Sequence, residues 1–253
     1  MSEEKEHWLE LENEEAALAA LKSHNLGLEI ENQLHEYCLL LKEFNSHTNL
    51  VSNAELSVLL KEHVLDSLQL LPLLLELQKS EKRSPRLIDI GSGAGFPGMV
   101  LAIAAPFLKV TLVDSIGKKC RFLADAAHKL KINDRLEVIC ERAELLGHAS
   151  GLRETFDFAC ARAVGALPLV AELCLPFLRP GGFLLAQRSK RQAEEELQKA
   201  DALAAKLGAR LKDSRFFPPD LKERQLAVLI FEKKSRTGSR FPRSAKELKQ
   251  SAL

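Results

Sequence analysis

The spacing of apolar residues changes at about residue 86. Before it the intervals are helical: Leu28, Leu34, Tyr37, Cys38, Leu41 and Phe44 form a stripe over 28–44, and the Glu-, Ala- and Leu-rich stretch 3–22 predicts an earlier helix. Residues 54–78 also read as helical, with Pro72 as the expected break. The polar stretch 80–86 contains a proline and reads as a linker. Beyond it short apolar runs alternate with amphipathic stretches. Strands are expected at Leu87–Ile90, Val110–Val113, Leu136–Cys140, Phe156–Ala161, Phe183–Ala186 and Gln225–Phe231. Helices are expected from Gly98 to Ala105, Lys118 to Leu130, Leu167 to Leu178, and over 191–207 as a cover for the sheet. This alternation predicts an α/β fold, a doubly wound and mostly parallel sheet, preceded by a helical extension. The expected division is 1–84 helical extension, 85–232 central α/β domain and 233–253 basic tail.

The junction of the first strand and its helix carries the chemistry. It reads Asp89-Ile90-Gly91-Ser92-Gly93-Ala94-Gly95-Phe96-Pro97-Gly98. Glycines permit a tight turn and bring backbone close to a ligand, and the amides of the following helix face whatever binds there. Asp114 closes the second strand, nineteen residues beyond Gly95. An acid at that spacing accepts hydrogen bonds from ribose hydroxyls. The pattern therefore predicts a nucleoside site, against the plainer alternative of a tight turn without a ligand.

A dinucleotide enzyme should carry a substrate domain after this half, and the sheet pattern ends near residue 231. The one tyrosine, Tyr37, lies upstream, so no Tyr/Lys pair for hydride transfer follows. Leu178-Arg179-Pro180-Gly181-Gly182 resembles the turn common to Class I S-adenosylmethionine-dependent methyltransferases. That favours methyl transfer.

Charge adds one distinction. The chain has 36 Lys and Arg against 35 Asp and Glu, so bulk charge does not announce a nucleic-acid binder. The average hides an acidic start and a basic end. Residues 1–15 hold seven glutamates against one lysine, and 233–253 hold seven Lys and Arg against one glutamate. The tail reads either as solvated charge or as an arm for phosphates. Five cysteines without a CxxC pair, and no His cluster, argue against a disulfide framework or a zinc ribbon and favour a reducing cytoplasm. No apolar run approaches the ~20 residues of a membrane span.

Several segments together resemble one family. They are Gly91 to Gly98, Val110 to Lys119, Arg142-Ala143-Glu144, Ala161-Arg162-Ala163-Val164, His63-Val64-Leu65-Asp66-Ser67-Leu68 and Arg240-Phe241-Pro242-Arg243. This set is similar to the RsmG (GidB) family, which methylates N7 of a guanine in 16S ribosomal RNA of the small subunit. The likeness spans about residues 35–243. It departs from the family at Phe44-Asn45 (usually Trp-Asn), Asn49-Leu50-Val51 (Asn-Leu-Thr) and Gln187-Arg188-Ser189 (Leu-Lys-Gly).

The resemblance implies S-adenosylmethionine as cofactor. It implies that Gly91, Gly93, Gly95 and Phe96 line the methionine and sulfonium end, that Asp114 takes the ribose, that Ala143 and Glu144 lie near the adenine, and that Arg162 faces the reaction centre as both cofactor-binding and catalytic residue. RNA would be gripped by Lys118, Lys119, Arg121, Arg188, Lys190, Arg240 and Arg243. The implied partner is ribosomal RNA or a ribosomal particle, with a monomeric, cytoplasmic enzyme and no metal. Guanine N7 has an in-plane lone pair, so neither a base nor a thiolate is required. Cys160 and Cys174 accordingly read as buried structural thiols, and His63 with Asp66 as a side-by-side structural pair. The competing readings are a methyltransferase for a small molecule or protein, and a non-catalytic module that binds RNA.

Overall fold

Strands rich in Val, Ile, Leu and Phe, and flanked by helices, can be covered on both faces, and this chain covers them. The computed structural model describes residues 14–78, 83–217 and 225–250. Among these, seven strands form one sheet: β1 (Arg86–Ile90), β2 (Lys109–Asp114), β3 (Leu136–Cys140), β4 (Phe156–Ala161), β5 (Leu178–Ser189), β6 (Ala209–Phe216) and β7 (Leu226–Lys233). Their order is β3-β2-β1-β4-β5-β7-β6. The first five are parallel, while β7 runs antiparallel to both β5 and β6. The chain winds outward from β1 in one direction and from β4 in the other. The carboxyl ends of β1 and β4 therefore flank a switch point, where ligands bind in open α/β sheets.

Side chains alternate between two cores. Along β1, Leu87 joins one cluster, and Ile88 and Ile90 join the other. The first cluster lies under α6 (Gly98–Ala104), α7 (Gly117–Lys129) and the N-terminal helices. The second lies under α9 (Leu167–Cys174) and α10 (Lys190–Lys206). A short helix, α8 (Ala143–Leu146), follows β3. The cover expected from 191–207 is α10, started by a capping box between Ser189 and Gln192.

The N-terminal helices are α1 (residues 14–22 of the described chain), α2 (Leu28–Thr48) and a segmented run of α3 (Leu56–Val58), a π turn (Leu59–Val64), α4 (Leu65–Leu68) and α5 (Leu70–Leu77). Leu34, Tyr37, Cys38 and Leu41 of α2 are buried in the same core as α6. The part of the acidic stretch before residue 14 lies outside the described residues, as do 79–82 of the expected linker.

The structure corrects four expectations. Pro72 does not break the helix. It is the third residue of α5, where a missing amide costs no hydrogen bond, and the interruption falls at Gln69. The strand β6 was not expected. It is an edge strand, and the exposed Arg210 and Lys212 alternate with half-buried or buried neighbours, which breaks up any apolar run. The helix expected to reach Leu178 stops at Cys174, and a 3₁₀ turn (Leu175–Phe177) leads into β5. There Pro180-Gly181-Gly182 forms an irregularity within the strand, between the pairs Phe156–Leu178 and Phe158–Phe183. A Cβ on Gly182 would stand 2.8 Å from the Asp157 carbonyl oxygen, so the close backbone approach requires glycine. Finally, the basic tail is not a free arm. Lys233 is fully buried, its Nζ donating to the Leu175 carbonyl (2.9 Å) and to Thr237 Oγ1. The residues after it return across the molecule to α11 (Ala245–Gln250).

Candidate functional site

The glycine loop leaves β1 and is stitched to β2. Gly91 and Ser92 donate their amides to the Val113 carbonyl (2.8 and 3.0 Å), and the Val113 amide donates to Ser92 Oγ (3.1 Å). Gly91, Gly93 and Gly95 all have positive φ (70°, 60° and 95°), a conformation that a side chain would strain. A Cβ at Gly91 would lie 2.6 Å from Val164 Cγ2, whereas at Gly93 nothing lies nearer than 3.9 Å. The loop is thus closed at one glycine and open at the other.

Asp114 is buried and holds the loop in place. Its Oδ2 accepts from the Gly93 amide (2.9 Å), its Oδ1 accepts from the Ile116 amide (2.9 Å), and Lys119 Nζ stands 3.7 Å away. Asp114 and Gly91 line a cleft of about 760 Å³ at the carboxyl ends of the strands, together with Ala143 and Glu144. Glu144 is also buried. Arg142 holds its Oε1 through Nε (2.8 Å) and Nη2 (2.6 Å).

Beneath the loop Asp89 is completely buried, its Oδ2 accepting from the Gly98 amide (2.9 Å). Burial pushes its carboxyl up to about 6, against the opposing pull of that amide and of Ser92. The folded chain therefore holds this proton more firmly than the unfolded chain, whose value is near 3.9. The contribution of Asp89 to stability is full below about pH 4 and is lost as pH rises through about 6. Relative to Asp89→Asn, which does not titrate, the wild-type chain is expected to lose up to about 3 kcal/mol across that window. Urea unfolding of both proteins at fixed pH values measures the difference.

On the other side of the loop the N-terminal helices press inward. The Tyr37 hydroxyl donates to the Ala94 carbonyl, deep in the core. The Phe96 ring packs edge-on to Tyr37 (5.7 Å between centroids) and 4.9 Å from the His63 ring. The Arg162 guanidinium, at the end of β4, sits 5.2 Å from the centre of the same ring. Its Nη2 is 2.9 Å from His63 Nδ1, its Nη1 donates to the Glu62 carbonyl (3.3 Å), and Asp66 Oδ2 is 3.9 Å away. The π turn carries Glu62 and His63 at this contact, an irregularity often found at functional sites. His63 and Asp66 thus both meet Arg162.

A second cleft of about 340 Å³ adjoins the first at Ala163 and Ala166. Arg162, Gln187, Arg188, Ser189, Gln192 and Leu226 lie around it.

The residues expected to touch RNA fall into two groups. Lys118, Arg121, Lys190 and Arg240 are exposed, although Lys118 Nζ donates to the Thr48 carbonyl (2.5 Å) and Arg240 lies over the Phe241 ring (4.6 Å). Lys119 is partly buried against Asp114. Arg188 and Arg243 are committed to the protein. Arg188 is 5% exposed, donates to the Gly165 carbonyl (2.6 Å) and pairs with Glu196 (3.5 Å). Arg243 grips the buried Glu172 through Nε (2.8 Å) and Nη2 (2.6 Å). A phosphate would have to displace these partners. Sequence reasoning passed over Glu172, an acid inside the apolar run Leu167–Leu178, whose burial demands a cation. Tyr37 and Arg153 were missed as well, because their contacts lie far away in sequence.

Cys160 and Cys174 are fully buried, and burial raises both thiols well above their ordinary value. Neither can present a thiolate.

The family model described as rRNA small subunit methyltransferase G (GidB) matches residues 30–226. The chain belongs to this family. A GidB-family relative named ribosomal RNA small subunit methyltransferase G, from Alkaliphilus oremlandii, is 35% identical over 89% of this chain and 94% of its own length. One of the same name from Rubrobacter xylanophilus is 38% identical over 84% of this chain and 79% of its own. In fold the chain is also similar to Pyrococcus horikoshii TYW2, solved in complex with MeSAdo. That likeness has a TM-score of 0.51 at 14% identity, over 68% of this chain and 63% of that one. Membership makes the chain a methyltransferase that uses S-adenosylmethionine. The cleft fits that cofactor: its volume suits a nucleoside with a side chain, the loop backbone lines it at Gly91, and two buried carboxylates, Asp114 and Glu144, are on hand for hydroxyl and amino donors.

Proposed function

We propose that the chain transfers a methyl group from S-adenosylmethionine to N7 of a guanine in small-subunit ribosomal RNA. The observation that carries this reading is the cleft at the ends of β1 and β2, with Asp114 in its wall, in a GidB-family chain. Asp114 holds the ribose, the backbone of Gly91 lines the cleft beside it, and Ala143 with Glu144 border the adenine. Bound there, the cofactor supplies a methyl group on a positively charged sulfur. The N7 lone pair accepts it without loss of a proton, so the site needs positioning rather than a base. The adjoining cleft suits the target base, with Arg162 in its wall to orient a guanine oxygen or a phosphate.

Lys118, Arg121, Lys190 and Arg240 form the expected phosphate contacts. The partner is ribosomal RNA or a particle containing it, and the enzyme acts as a monomer in the cytoplasm.

The test supplies methyl-labelled S-adenosylmethionine with small-subunit RNA and with small-subunit particles. The expected product is labelled 7-methylguanosine after nuclease digestion. No incorporation into either substrate overturns the reading, and label in protein or a small molecule redirects it. Arg162→Ala is expected to slow methyl transfer by about 100-fold, the scale of losing one oriented charged contact at a reaction centre. Binding of S-adenosylhomocysteine should fall less.

A further inference from the structure

The returning C-terminal segment is fastened far more firmly than a phosphate-seeking arm needs to be. Arg153, in the loop after α8, donates to four backbone carbonyls: Gly147 (2.6 Å), Phe241 (2.8 Å), Thr237 (2.7 Å) and Gly238 (3.1 Å). The Thr237 amide donates to Glu154 Oε1 (2.8 Å), and His148 Nε2 lies 2.8 Å from the Pro242 carbonyl oxygen. A Cβ at Gly147 would come within 2.6 Å of Pro242. Arg243 completes the fastening on Glu172, and its own amide also donates to that carboxylate (2.9 Å).

Past this anchor, Ser244 and Glu247 bond to each other across the first turn of α11 (Ser244 amide to Glu247 Oε2, 2.9 Å). The turn brings Ala245 and Leu248 into the wall of the cleft that Gly91 and Asp114 also line. Leu203 of α10 lines it as well, and both leucines pack on the second core. This end of the cleft is therefore partly apolar, although it comes from the most basic stretch of the chain. Arg243, which also lines the cleft, is neutralised by the buried Glu172, and Lys199 of α10 is the other cation on this side.

We infer that residues 243–248 form an outer wall of the S-adenosylmethionine site, held there by Arg153 and by the Arg243–Glu172 pair. The inference rests on the methyltransferase reading given above. An open sheet offers a ligand only the strand ends and their loops. A wall on the outer side buries more of it and excludes water, which strengthens the polar contacts made from Asp114 and Glu144. Leu248 and Ala245 are thus cofactor-positioning residues, and the segment 243–248 serves the cofactor, leaving Arg240 before it to RNA.

Calorimetric titration with S-adenosylhomocysteine tests this on four proteins: the full chain, a chain ending at Ser244, Leu248→Ala and Arg153→Ala. Affinity for a small-subunit RNA fragment is measured on the same set. The truncated chain and Arg153→Ala are expected to bind S-adenosylhomocysteine about tenfold more weakly, and Leu248→Ala about threefold, with RNA affinity unchanged. Leu248→Ala guards against a folding defect, since it removes only part of a half-buried side chain. Wild-type affinity in both the truncated chain and Leu248→Ala overturns the inference. So does a loss of RNA affinity with S-adenosylhomocysteine binding intact, which would make the tail an RNA arm. If the full chain itself fails to bind S-adenosylhomocysteine, the methyltransferase reading falls first and this inference with it.

Discussion

Asp114→Ala is expected to bind S-adenosylhomocysteine at least about a hundredfold more weakly than the wild-type chain, a loss of about 2.7 kcal/mol. Two effects add. Each carboxylate oxygen accepts one backbone amide, from Gly93 and from Ile116, and keeps a lone pair for a ribose hydroxyl. Alanine removes the ligand's charged acceptor, worth about 1.5–3 kcal/mol per hydrogen bond. It also strips both amides of their partner, at about 1–3 kcal/mol for each donor that stays buried. The loop then loses the shape that the ligand needs. Asp114→Asn separates the two effects. Its one oxygen can hold a single amide, while its NH₂ would face the other amide, donor against donor. Its affinity should fall between those of the other two proteins. Calorimetry is the measurement, and wild-type affinity in Asp114→Ala would remove Asp114 from the site.

The largest loss of stability is expected from Gly95→Ala, about 3 kcal/mol or more. The added methyl group would collide with the Tyr37 hydroxyl, and would stand 2.8 Å from Met99 Cβ and 2.9 Å from Leu123 Cδ2. Met99 Cβ lies close to its helix backbone and has little room to retreat. The φ of 95° strains any side chain further. Relief requires the loop to lift away from α2, which breaks the Tyr37–Ala94 hydrogen bond. Denaturant unfolding followed by circular dichroism measures the loss. An unchanged midpoint would mean that the loop is free to move outward.

How much of this was legible in the sequence follows from the range of each signal. The parallel strands β1, β2, β4 and β5 are short, mostly buried apolar runs, and they and the outer strand β3 could be placed from the apolar pattern, whereas their order in the sheet could not. The loop and Asp114 were legible because the glycines and the acid each stand at a strand end, where side-chain type is dictated by backbone geometry. β6 was illegible for the opposite reason: an edge strand with a solvent face alternates charged and apolar residues, as a loop can. Phe96 was expected to line the cofactor. Its place between Tyr37, His63 and Arg162 depends on how the N-terminal helices dock, and no local pattern encodes that. The anchoring of the tail was the least legible. Its charges read as unpaired because their partners, Glu172 for Arg243 and the Leu175 carbonyl for Lys233, lie some sixty to seventy residues earlier. A lone acid in an apolar helix was the available clue.

The hydrogen bond from Tyr37 to Ala94 fastens α2 to the glycine turn from behind. The amino-terminal helices are therefore part of the frame that gives this turn its shape, and a chain cut back to β1 would leave the turn without that brace.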